Sequence, residues 1–80
     1  MAGSSVLLAN MRRGERGHVV RVNRDLTGRA ERLSALGVTP GAAIHVLQTF
    51  PAIVFECDQT EIAMEHTMAT AVLIEPITER

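Results

Sequence analysis

Three histidines, one cysteine and nine carboxylates are the side chains of this 80-residue chain that could hold a metal or move a proton. Their spacing decides whether they do. His18, His45 and His66 fall on separate stretches, and no His-x-x-His or Cys-x-x-Cys pair sets two donors on one turn. The best pairing is His45 with Glu56 across a hairpin. Two ligands on an exposed face hold ferrous iron or zinc only weakly, so no cofactor is required and a divalent ion is at most a casual guest. Cys57 lies between Glu56 and Asp58, whose charges oppose a thiolate, and reads as a small core residue. As the one cysteine it also rules out a disulfide within the chain. Ser4 and Ser5 lie near a fraying end, and Ser34 lies on a solvated helix face. With no nucleophile elbow, phosphate loop or carboxylate pair with an evident buried neighbour, the sequence is not that of an enzyme.

The elements that position these groups follow from periodicity. Eighty residues with 46% hydrophobic content suffice for one core and one domain. Residues 1–7 are expected to be flexible and 8–77 to form the domain. Leu8 and Met11 can pack as a single turn. Gly17 to Val22 has the β-branched content of a strand. A helix is expected from Gly28 to Leu36, capped by Thr27 or Gly28, with Ala30, Leu33 and Leu36 on one face and Arg29 and Arg32 outward. Gly37 stops it, and Thr39-Pro40-Gly41 turns the chain. The second half is a meander of Ile44–Leu47, Ile53–Cys57, Ile62–Met64 and Val72–Ile74, the last ending at Pro76. Period-two alternation turns Ile44, Val46, Ile53, Phe55, Cys57, Ile62 and Met64 inward. Pairing Val46 with Phe55 sets Ile44 opposite Cys57, His45 opposite Glu56, and Leu47 opposite Val54 on the outside. About five short strands and one short helix make a mainly β fold, a small barrel closed to remove its edges.

Charge is distributed unevenly. In the first forty residues seven arginines against Glu15, Asp25 and Glu31 leave +4; in the second forty Arg80 against six acids leaves −5. Such a gradient orients the domain on a partner or on a second copy of itself. Nucleic acid is a poor fit, because the chain has no Trp, Tyr or Lys and so no stacking platform among its arginines. Two surfaces are candidates for a protein partner: the helix face with Arg29 and Arg32, and the outward Leu47 and Val54 pair. Val6-Leu7-Leu8 is too short for a signal core and Ala71 to Ile74 too short for a membrane span. A cytoplasmic location without membrane insertion is therefore expected.

The string Leu8-x-x-Met11-x-x-Gly14-Glu15-Arg16-Gly17, followed by Arg32-Leu33-x-x-Leu36-Gly37-Val38-x-Pro40-Gly41 and Ile44-x-Val46, resembles the ferrous iron transport protein A family. Ile62-Ala63-Met64 and Ala69-x-x-Val72-x-Ile74-Glu75 extend the match over nearly all of Leu8 to Pro76. The resemblance implies an SH3-like barrel similar to the C-terminal module of the iron-dependent repressors. It also implies an accessory role beside the GTP-driven ferrous iron permease, ferrous iron transport protein B, through its cytoplasmic domain. One departure is a connection shortened to Phe50-Pro51-Ala52, where the family carries a longer Pro-Leu-Gly-x-Pro type sequence. The expected function is an interaction module that binds and modulates the permease. The alternative is a regulatory or nucleic-acid-associated module akin to the repressors' SH3-like domain.

Overall fold

The computed structural model describes residues 4–77. Six antiparallel strands form one sheet: β1 (Val6–Leu7), β2 (Arg16–Val22), β3 (Ala43–Gln48), β4 (Ile53–Cys57), β5 (Thr60–Met64) and β6 (Val72–Ile77). Their order across the sheet is β1-β6-β2-β3-β4-β5. A 3-10 turn at Leu8–Asn10 follows β1, helix α1 (Arg29–Ala35) joins β2 to β3, and a short helix α2 (His66–Ala69) joins β5 to β6. Residues from the inner sides of β2 to β6, from α1 and from the 3-10 turn share one hydrophobic cluster, so the sheet curls around its own core.

The predicted pattern holds where alternation is strict. Ile44, Val46, Ile53, Phe55, Cys57, Ile62 and Met64 are all buried. Ile44 pairs with Cys57, His45 with Glu56 and Val46 with Phe55. The expected partnership of Leu47 with Val54 is corrected by a bulge, which makes Gln48 the residue opposite Val54. The amide of Val46 donates to the Glu15 carbonyl (2.9 Å) and its carbonyl accepts from Gly14 (2.7 Å), so β3 is held to the N-terminal segment there. Leu47 is the extra residue that lets the strand bend immediately afterwards.

Three features escape the predicted pattern: the strand β1, the second helix α2 and the extension of β6. Val6 and Leu7, expected in a flexible leader, pair with Ile74 and Leu73 of β6; the domain therefore starts before residue 8, and the part of the leader at 1–3 lies outside the described residues. β6 also continues through Pro76, which faces Gly17 of β2. A proline is admissible there because β1 covers only Leu73 and Ile74, so no ladder bond is lost on its other side.

Helix α1 ends as predicted. Gly37 takes φ +90°, its amide donates to Ser34, and the Val38 amide donates to Leu33 at 2.9 Å. That is a Schellman closure, with Val38 and Leu33 both buried beneath it. Of the two expected caps it is Gly28 that takes the N-cap position, and Thr27 does not cap. The Asp25 carboxylate accepts from the Thr27 amide (3.0 Å) and hydroxyl (2.6 Å), which turns the chain before the helix.

Candidate functional site

The outer face of the sheet carries its polar groups in rows. One row crosses five strands: Ile77 of β6 faces Arg16 of β2, which faces His45 of β3, then Glu56 of β4, then Glu61 of β5. His45 Nδ1 lies 3.7 Å from Glu56 Oε1, so the two predicted ligands are neighbours. Arg16 adjoins the histidine on its other side and opposes a cation. Glu61 stands two strand spacings from His45, about 10 Å away, so the row does not converge on one point. Among the described residues no three His, Cys, Asp or Glu side chains gather to hold a metal. His18 is exposed on β2 opposite Glu75 and Ala43. His66 Nε2 donates to the Thr49 carbonyl at 2.8 Å, tying α2 to the loop after β3. The Cys57 thiol is buried and donates to the Gly37 carbonyl at 3.4 Å. Burial, with the Asp58 charge beside it, pushes its pKa up, which suits a packing residue.

The docking residues predicted on α1 separate in the structure. Arg29 does not point outward. Its guanidinium donates to Asp25 through Nε (3.0 Å) and Nη2 (2.6 Å), and through Nη1 to the Thr67 carbonyl (2.7 Å) and Thr70 Oγ1 (2.8 Å). It is a clamp joining the pre-helix turn and α1 to α2, and its hydrogen bonds are spent within the domain. Arg32 is exposed. Leu36, expected on the buried face with Ala30 and Leu33, is 47% exposed because it is the helix C-cap, where the face turns away from the core. Leu47 and Val54 are both half-buried, at and beside the bulge.

The Asp25 clamp has a pH signature. Hydrogen bonds from Thr27 and Arg29 lower its pKa from the ordinary 3.8 to about 2. A carboxyl that binds its proton less readily when folded contributes stability above pH 3.8 and loses it as the pH falls from 3.8 to about 2. Asp25→Asn should flatten the fall of melting temperature over that interval, measured by circular dichroism. An unchanged slope would show that the clamp does not couple to folding.

Arg32 marks the rim of a feature that periodicity could not show. It lines a groove of about 500 Å³ together with Ala35 and Leu36 of α1, Ala63 and Met64 of β5, Glu65, and Met68 of α2. The walls are mainly apolar, with one positive and one negative side chain at the rim. Its residues come from α1 and, about thirty positions later in sequence, from β5 and α2. Four other large apolar side chains are exposed among the described residues: Val20 and Ile77 on the sheet, Leu26 before α1, and Phe50 in the shortened connection.

With this geometry in place, comparisons with known proteins are informative. The profile of the FeoA domain matches residues 6–76. Among solved structures, the iron uptake regulatory protein FeoA is 28% identical, covering 92% of this chain and 100% of that one, with a TM-score of 0.84. FeoA from Chlorobium tepidum is 25% identical over 91% of this chain and 71% of its own, with a TM-score of 0.79. A manganese-dependent transcriptional repressor shares the fold at a TM-score of 0.86 and 18% identity; the similarity covers 96% of this chain and 44% of the repressor. FeoA from Stenotrophomonas maltophilia, an SH3 domain protein complexed with zinc, superposes with a TM-score of 0.77 at 17% identity, over 86% of this chain and 88% of its own. The expected mainly β, SH3-like architecture is thus the observed one, but the expected closure is not: among the described residues the sheet order ends at β1 and β5, which do not pair with each other. A search of curated proteins found no match.

Proposed function

This chain belongs to the FeoA family, and we propose that it is an accessory protein of ferrous iron uptake that binds the cytoplasmic domain of the GTP-driven ferrous iron permease and modulates it. The observation that carries this reading is the family match over residues 6–76, which spans almost all of the described domain and leaves its surfaces as the means of action. The chemistry-bearing side chains are dispersed over the outer face of the sheet, α2 and the core, whereas the groove beside α1 offers apolar area with charge at its rim, the composition of a contact surface. The reading implies a cytoplasmic protein with no reaction of its own. No helix among the described residues is long and apolar enough to cross a membrane. The likeness to the repressor is one of fold at 18% identity and supports no transcriptional role.

Metal enters this reading as a weak surface ligand. Zinc is present in the Stenotrophomonas maltophilia relative, and His45 beside Glu56 is the pair that would receive it here. Zinc titration followed by NMR should perturb residues around His45 without saturating below roughly micromolar concentration, and His45→Ala should abolish the response. A tight stoichiometric site would overturn this part of the account. The function itself is tested in cells lacking the chain. Ferrous iron uptake should change and be restored by the wild-type gene. Unchanged uptake with the permease present would refute it.

A further inference from the structure

We propose that the edge of β5 and the groove beside it bind an extended peptide segment of a partner, one that alternates basic and apolar side chains and adds a seventh strand to the sheet. This deepens the reading of the chain as a binding module and rests on it. Strand β5 is the last in the sheet order, with β4 on one side and no strand on the other. Among the described residues, no backbone bond outside the sheet reaches Thr60 to Met64, so the outer hydrogen-bonding groups of the edge are unused. That edge is roughly 16 Å long, enough for about five residues. The groove opens at its C-terminal end, where Ala63 and Met64 lie with Ala35 and Leu36 of α1 and Met68 of α2. A free strand edge facing a helix across an apolar groove is the arrangement in which strand addition takes place, with main-chain bonds supplying affinity and alternate side chains supplying specificity.

Two features select the occupant. On the outer face Glu56 stands directly opposite Glu61, and like charges paired across strands repel. A lysine or arginine on an added strand, opposite Glu61, would extend that row with the missing cation. Alternate residues of the added strand would point the other way, as Ile62 and Met64 do, and the one beside Met64 would meet Leu36 and Met68 in the groove. The alternation of basic and apolar residues follows from these two faces. A second copy of this chain is disfavoured, because the segment Thr60 to Glu65 holds two carboxylates and no cation. Pairing two such edges adds negative charge to negative charge.

The test uses the isotopically labelled full chain and two capped hexapeptides, one alternating valine with lysine and the other valine with glutamate. The lysine peptide should give saturable shifts and slow amide exchange confined to β5 and the groove. The glutamate peptide should bind more weakly by about fivefold or more, and Glu61→Lys should reverse the preference. Leu36→Ser, at an exposed position, should weaken the lysine peptide about fivefold without altering the fold. Binding elsewhere, no slowing of exchange in β5, or equal affinity for the two peptides would overturn the proposal. A parallel titration with the permease's cytoplasmic domain separates the two readings. If that domain binds Glu61→Lys as well as wild type and neither it nor the lysine peptide protects β5, the edge proposal fails and the accessory role stands. If the lysine peptide lines β5 and the permease domain does not bind, the edge proposal stands and the permease assignment fails.

Discussion

Gly17→Ala should lower the melting temperature by about 15 °C, a loss of roughly 3 kcal/mol in a domain of this size. Gly17 sits in β2 between two strands, opposite Pro76 of β6 and Ile44 of β3. A Cβ built there would lie 2.5 Å from the Glu75 carbonyl oxygen and 2.5 Å from Ile74 Cγ2. The first obstacle is backbone and cannot rotate aside. Relief therefore requires β6 to draw back from β2, and β6 also carries β1. The effect is steric and local, with no left-handed backbone involved, so larger residues should be worse in order of size. A melting temperature within a few degrees of wild type would mean that the two strands do not approach so closely.

Phe55→Ala should remove most of the stability of the fold. Phe55 is fully buried on β4, between Val46 of β3 and Ile62 of β5, and is the only buried aromatic residue among those described. Truncation of such a side chain costs about 3–5 kcal/mol through lost transfer energy and the cavity it leaves. Small domains hold little more than that in total, so the variant should be substantially unfolded at 25 °C. Phe55→Leu keeps most of the volume and should cost about 1–2 kcal/mol. Urea denaturation distinguishes these outcomes. Equal midpoints for the two variants would show that the core refills the cavity.

How much of this was legible in the sequence depends on the range of the interactions that decide it. The register of β3 on β4 was readable because buried and exposed residues alternate strictly from Ile44 to Val46 and from Phe55 to Cys57, and slipping by one would expose every core residue. The end of α1 was readable because Gly37 and Pro40 carry local backbone preferences. The bulge at Leu47 was not, since no side-chain type marks it and it follows from hydrogen bonds to Gly14 and Glu15, some thirty residues away. β1 is two residues long and is a strand only through Ile74 and Leu73. α2 has four residues, too few for a helical period. Arg29 was recognised as a charge, but its partners Thr67 and Thr70 lie 38 and 41 residues away, which made an internal clamp look like an outward face.

The candidate site shows the same division. His45 and Glu56 were paired correctly by register, and Arg32 was correctly placed on the surface. The groove was hidden because its walls are individually unremarkable: two alanines, a leucine at a helix end and two methionines, assembled only by tertiary structure. A partial signal existed in Leu36. It precedes the glycine that ends α1, where the apolar face of a helix begins to leave the core.

The central claim, that this chain acts by binding the permease's cytoplasmic domain, is tested most directly by titrating that purified domain into the full chain in a calorimeter. The account predicts a saturable complex of one-to-one stoichiometry that weakens with added salt, in keeping with the charged rim of the groove. No heat of binding with both proteins folded and at roughly millimolar concentration would contradict it.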